Sequence, residues 1–219
     1  MDPHTFRGLP ITLLVAAAVY AAVLFSGLTE DVLDSGALDD FDGAISAIVD
    51  PLRSEPELTW FRWISAIAGG PAILAVLLVS SGFLLLLPNR TPILALWAVF
   101  SGAQLTTTLG KVVIGRPRPE PMYDVAALAA FPSGHATVVM AVYGFIAYLI
   151  GRGIGDPMAR FHVAFAALLL VALVGLSRIV LNVHFASDVL GGYLVGIFWL
   201  LVGVILVEAR DRTTGGSRS

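Results

Sequence analysis

Apolar runs long enough to cross a bilayer recur along this chain, and they constrain its fold more than any other feature. A membrane-spanning helix needs about 20 mostly apolar residues. Residues 9–28, 71–87, 92–113, 135–150, 163–180 and 189–207 each supply a run of that order. Composition agrees: 57% of residues are hydrophobic and 13% charged, against about 25% charged in a soluble domain. The mean hydropathy is +0.86. The expected class is therefore all-α, a polytopic membrane protein of six transmembrane helices, with residues 1–219 forming one membrane-embedded domain. The first run exceeds the apolar stretch of about 7–15 residues in a cleaved signal peptide, so it is read as a retained helix.

The longest polar stretch inside the chain is residues 29–57, with nine acids and one base, Arg53. Within it Ala44, Ile45, Ile48, Val49 and Leu52 recur at helical spacing, which predicts an amphipathic helix on the membrane surface. Residues 58–68 carry Trp60, Phe61 and Trp63 and predict a second interfacial helix. Gly69-Gly70-Pro71 separates it from the second span. Two roles suit the acidic segment: a solvated connector, or a lid that repels anionic lipids except where basic residues draw them in. A polar tail, residues 208–219, ends the chain.

Alternating six spans puts Arg7, Arg90, Arg152, Arg160, Arg210, Arg212 and Arg218 on one side. Arg53, Arg62, Lys111, Arg116, Arg118 and Arg178 fall on the other, and four of these lie in two clusters that have another use. Setting those aside, the positive-inside rule places both termini in the cytoplasm and the loops after spans three and five outside, at the periplasmic face of a cell membrane. A net charge of −3 gives no reason to expect nucleic acid as a partner. The lack of cysteine removes disulfides, thiolate metal ligands and Cys nucleophiles together.

Three polar clusters sit at span ends on the outer side: Lys111 with Arg116, Arg118 and Pro119; Pro132-Ser133-Gly134-His135; and Ser177-Arg178 with His184 and Asp188. Taken singly, each has an ordinary explanation. The cations snorkel, Ser133 caps a helix, and His184 and Asp188 form an i,i+4 pair. Taken together they bring the cations Lys111, Arg118 and Arg178, two histidines and a carboxylate to one membrane depth, where ionisable groups are costly and functional by default. Lys111, Arg118 and Arg178 suit a phosphoryl group, Arg by bidentate donors and Lys as a point charge. Ser133 and the N–H groups of Gly134 and His135 open a helix, a ready anion site. No metal-ligand spacing is present, and the cations supply the charge that a metal otherwise would. His184 is expected as nucleophile, with Asp188 accepting from its other ring nitrogen, and His135 as proton donor to the leaving oxygen. Arg116 is an extra base, read either as a contact to a second phosphate or headgroup or as a solvated loop charge. His4 and His162 receive no role.

These clusters resemble the motifs K-x6-R-P, P-S-G-H and S-R-x5-H-x3-D of the type 2 phosphatidic acid phosphatase superfamily. Lys111, Arg118-Pro119, Pro132 to His135, Ser177-Arg178, His184 and Asp188 meet every specified position. The motifs cover residues 111–188, and the six-span layout extends the similarity to most of the chain. The resemblance implies a six-helix membrane enzyme with its site at the outer face and no cofactor. It implies a phosphohistidine on His184, Asp188 as its partner, and His135 as acid and then base. It also implies phosphate binding by Lys111, Arg118, Ser133, Gly134 and Arg178. The superfamily's soluble haloperoxidase branch does not fit this hydropathy. The expected substrate is a membrane lipid phosphate, first a polyprenyl diphosphate of cell-wall synthesis, then phosphatidylglycerol phosphate or phosphatidic acid; no obligate protein partner is implied. Two rival readings are a lipid phosphotransferase using the same phosphohistidine, and a transporter. The latter calls for charges near mid-span and broken helices in paired repeats, whereas these charges gather at span ends.

Overall fold

A computed structural model describes residues 11–34, 36–119 and 129–215. Nine α-helices are found among them: α1 (Ile11–Leu33), α2 (Asp39–Val49), α3 (Glu55–Ala66), α4 (Gly70–Leu84), α5 (Thr91–Ile114), α6 (Gly134–Val138), α7 (Gly144–Gly153), α8 (Pro157–Val180) and α9 (Ala186–Gly215). A π-helical turn over Val139–Tyr143 joins α6 to α7. Six segments are long and apolar enough to cross a membrane: α1, α3 with α4, α5, α6 through α7, α8, and α9 to Arg212. The fold is thus all-α and multi-span, as expected. His4, Arg7, Arg218 and the first two residues of the first run lie outside the described residues.

The crossings leave most of their apolar surface uncovered. Only 17% to 39% of each one's most apolar stretch is buried by protein, and Phe83, Leu94, Val112 and Val113 stand out from the bundle. In a soluble protein so much exposed hydrocarbon would drive aggregation. In a bilayer, lipid tails cover it. The protein's own core lies between the helices, where Leu77, Leu96, Val99, Ala103, Val142, Phe145 and Val207 are sealed from solvent.

Three helices run further than their apolar runs predict, because polar side chains carry them on. α1 continues to Leu33, with the Thr29 hydroxyl donating to the Phe25 carbonyl at 2.7 Å. The acidic segment therefore begins inside this helix. α8 starts at Pro157 rather than 163: the Asp156 carboxylate accepts from the N–H groups of Met158 and Ala159 at 3.3 and 3.0 Å, and proline suits the first helical position. α9 continues past 207 because the Tyr148 hydroxyl donates to Glu208 at 2.6 Å and Arg152 pairs with Asp211. Part of the expected polar tail is thus helix.

The helix ladder breaks at 67–69, where Gly69-Gly70-Pro71 separates α3 from α4 as expected. The Tyr143 hydroxyl, from the π-helical turn, donates to the freed Ile67 carbonyl at 2.9 Å. Helix α2 presents Asp42 and Val49 inward and leaves Ile48 71% exposed. Ala44, Ile48 and Leu52 of the expected apolar stripe are exposed while Val49 is buried, which suits a helix lying on a membrane surface with one edge on the protein.

α9 is the element on which the site is assembled. Two adjacent glycines let it approach the Pro132-Ser133-Gly134 turn. A Cβ on Gly192 would lie 2.6 Å from the Ser133 carbonyl oxygen, and one on Gly191 2.4 Å from the Phe131 ring. Both distances are shorter than atoms tolerate, so only glycine permits this packing.

Candidate active site

The three sequence clusters meet at one end of the bundle. Gly115, at φ +63°, stops α5 in a left-handed cap just after Lys111. The Lys111 ammonium donates to the Ala129 carbonyl at 2.7 Å, and Arg118 Nη1 to the Val183 carbonyl at 3.0 Å. The Ser133 N–H donates to the Asp188 carbonyl at 3.0 Å, tying the start of the fourth crossing to the first turn of α9. Arg178, in the last turn of α8, donates through Nη1 to the Ser65 hydroxyl of α3. His135 lies within electrostatic reach of Arg178, His184, Arg118 and Lys111. The predicted residues are therefore brought together.

Two of their polar atoms, Ser133 Oγ and Arg178 Nε, are buried with no protein partner, and His184 Nδ1 has none within hydrogen-bond distance but faces Asp188. Buried polar groups in proteins are nearly always hydrogen-bonded. The unpaired Ser133 hydroxyl and Arg178 Nε, at the end of the bundle that gathers the cations, are available to a polar ligand.

His184 sits on the turn between α8 and α9 and is 3% exposed. Burial pushes its pKa down to about 4; the Asp188 carboxylate opposes this, while Arg178 and Arg118 add to it. The ring is neutral near pH 7, the state in which a ring nitrogen keeps a lone pair for attack. His184 Nδ1 and Asp188 Oδ2 are 3.6 Å apart, about half an ångström beyond a hydrogen bond. Asp188 is fully buried and otherwise engaged. Its Oδ2 accepts from the Phe185 N–H at 2.8 Å, and its Oδ1 accepts from Arg116 Nη1 at 2.7 Å. Burial pulls the Arg118 pKa below its ordinary value, and the Asp188 charge partly offsets this. Arg118 remains a cation, since guanidinium is not deprotonated in proteins.

Arg116 does not reach toward a second phosphate, and it is not a solvated loop charge. Its guanidinium is clamped between two carboxylates, Asp188 and, at 2.8 Å, Asp42 of α2. It also donates to the Ser187 hydroxyl at 2.6 Å and lies over the Phe185 ring, 4.5 Å from its centroid. Asp42, Ser187 and Ser65 are contacts that sequence reasoning did not single out. The one available signal was the helical phase of Asp42, seven residues before Val49 and therefore on nearly the same face. Among the described residues, no three His, Asp or Glu side chains cluster as a metal site.

A sequence model of the PAP2 superfamily matches residues 92–212, more than half of the chain. The chain belongs to the PAP2 superfamily. It is 37% identical over 112 residues to phosphatidylglycerophosphatase B of Bacillus subtilis, covering 48% of this chain and 54% of that protein. It is 32% identical over 146 residues to lipid A 1-phosphatase of Rhizobium etli, covering 58% and 59%. It spans little more than half the length of these curated relatives. Its fold resembles the crystal structure of a transmembrane PAP2-type phosphatidylglycerolphosphate phosphatase from Bacillus subtilis. There the TM-score is 0.75 and identity 25%, over 85% of this chain and 94% of that one. It also resembles Aquifex aeolicus LpxE, with a TM-score of 0.57 and 20% identity, over 74% and 93%. All three motif clusters fall within the residues that the PAP2 model matches.

Proposed function

We propose that this chain is a membrane-embedded phosphatase that releases phosphate from a lipid phosphate ester, with His184 as nucleophile. One observation carries the reading. Ser133 Oγ and Arg178 Nε are buried without a protein partner, with Lys111, Arg118 and a buried His184 backed by Asp188 at the same end of the bundle, in a member of the PAP2 superfamily. The neutral His184 attacks phosphorus through the nitrogen turned away from Asp188. The bond from phosphorus to the lipid oxygen breaks, and His135 gives that oxygen its proton. Asp188 stabilises the imidazolium left on the phosphohistidine. Water then attacks phosphorus, His135 takes back a proton, and phosphate leaves with His184 restored. Lys111, Arg118, Arg178, Ser133 and the Gly134 N–H hold the phosphoryl oxygens as their charge grows. No step calls for a metal.

The named activities of the relatives concern a phosphate on the head of a membrane lipid. They move phosphatidylglycerol phosphate ahead of the polyprenyl diphosphate favoured by sequence. The site-bearing end faces outward from the cytoplasm, by the distribution of arginines, with both termini inside.

The test is phosphate release by purified protein in detergent containing EDTA. The panel comprises phosphatidylglycerol phosphate, phosphatidic acid, lipid A 1-phosphate and an isoprenyl diphosphate. Release from at least one lipid is expected, with His184→Ala inactive and an acid-labile phosphoenzyme trapped from the wild type. A His184→Ala protein that turns over at the wild-type rate would overturn the assignment. Loss of activity on chelation would remove the metal-free mechanism.

A further inference from the structure

Asp42 lies upstream of the residues that the PAP2 model matches, in a segment whose acids look interchangeable in sequence. In the structure it is unlike its neighbours. It is 5% exposed, whereas Asp39 and Asp40 beside it are exposed. A carboxylate is costly to bury unless charge and hydrogen bonds compensate it, and here all its contacts lead to one place. Asp42 Oδ1 accepts from the Ser187 N–H at 2.9 Å, and Oδ2 accepts from the Ser187 hydroxyl at 2.6 Å and from Arg116 Nη2 at 2.8 Å. Arg116 Nη1 in turn reaches Asp188 Oδ1 at 2.7 Å. One planar guanidinium thus bridges two buried carboxylates, and the second of them faces His184.

We infer that Asp42 is a positioning residue for the catalytic histidine, acting through Arg116 and Ser187 on Asp188. The inference rests on the reading of His184 as nucleophile. Two consequences give it content. Asp42 fixes the plane of the Arg116 fork, so Asp188 Oδ1 is held and Oδ2 stays turned toward His184. It also shares the positive charge of Arg116, leaving Asp188 more of its own negative charge to stabilise an imidazolium. Without Asp42, Arg116 would pair with Asp188 alone and would be free to pull it out of line. The cationic residues that hold phosphate make none of these contacts, so turnover should suffer and substrate binding should not. The acidic segment then has a part in the reaction through one internal residue. This is a different role from both a lid and a solvated connector.

The experiment compares Asp42→Asn, Asp42→Glu, Asp188→Asn and the Asp42→Asn/Asp188→Asn pair in the phosphate-release assay, with Asp40→Asn as control. Asp42→Asn should lower kcat about ten- to a hundredfold, the range expected when a reacting group is misplaced, and change KM less than about twofold on the same grounds. Asp42→Glu should restore part of the loss, and Asp40→Asn should match the wild type. The double variant should be no slower than Asp188→Asn alone, because both act on one path. An effect that multiplies in the double variant, or a wild-type kcat in Asp42→Asn, would overturn the inference. If Asp42→Asn does not fold, Ser187→Ala carries the test, since it deletes the hydroxyl link and keeps the backbone bond to Asp42. An independent readout is the 15N side-chain spectrum of His184 in histidine-labelled protein, assigned with His184→Gln. Asp42→Asn should shift its signals and Asp40→Asn should not; unshifted signals would count against the inference. If no lipid in the panel is hydrolysed by the wild type, the phosphatase reading fails, and the spectrum alone decides whether Asp42 orients His184.

Discussion

The low pKa of His184 makes a quantitative prediction about stability, separate from any assay of turnover. An unfolded histidine titrates near 6.5, while the folded His184 titrates near 4. Between those values the unfolded chain carries a proton that the native protein does not. Stability therefore rises with pH across this window; it is lost as pH falls from 6.5 toward 4 and levels off below. Each pH unit is worth about 1.4 kcal/mol, so at about pH 4.5 the loss is about 2.5–3 kcal/mol relative to neutral pH. For a chain of this length that amounts to about 5–10 °C in Tm. Other groups titrate over the same range, and a variant removes them from the comparison. Thermal unfolding in detergent, followed by tryptophan fluorescence at pH 7 and at about pH 4.5, should cost the wild type about 5–10 °C more than His184→Gln, which has no proton to take up. Equal losses in the two proteins would mean that His184 is not held neutral by burial, and the case for a ready nucleophile would fall with it.

Two glycines with opposite surroundings test the packing of α9 and α2. Gly192→Ala should destabilise the protein by about 1–3 kcal/mol, because its Cβ would lie 2.6 Å from the Ser133 carbonyl and 2.9 Å from the Ala136 Cβ. Gly43→Ala, with nothing within 4 Å, should stabilise α2 by about 0.5–1 kcal/mol; Tm read by the same fluorescence checks both. The orientation can be read by thiol labelling, since the chain has no cysteine of its own. In intact cells, Ser54→Cys should react with a membrane-impermeant maleimide and Asn89→Cys should not; the reverse pattern would invert the topology.

What sequence made legible follows from what lipid demands. A crossing needs an unbroken apolar run, so six were visible, and charges at membrane depth stand out against such a background. Lys111, Arg118, His135, Arg178, His184 and Asp188 stand out for that reason, and Ser133 by its place at the start of a helix. Asp42 does not, because nine acids in one polar stretch offer no contrast. Amphipathic spacing picks out Ala44, Ile45, Ile48, Val49 and Leu52 and predicts a membrane-surface helix, and Ile48 does face away from the protein, but the pattern gives no sign that Asp42 turns in beside Val49. At a membrane surface an apolar stripe has lipid to turn to, which leaves the polar face free to dock on a polar site. Helix ends were missed for a simpler reason. Asp156, Glu208 and Asp211 lengthen helices by side-chain bonds to partners that apolar periodicity does not register.

The length of α9 has a mechanical consequence. Its 30 residues, at about 1.5 Å each, extend about 45 Å, well beyond a hydrocarbon layer of about 30 Å. The end that begins at the turn carrying His184 is fixed by Ser133, Asp42 and Arg116. The surplus therefore emerges at the opposite end, where Glu208 and Asp211 meet Tyr148 and Arg152. A thicker or thinner bilayer creates hydrophobic mismatch, and the extra turns at this polar end give the helix length with which to meet it. His184, at the other end, is left with its contacts to the bundle unchanged.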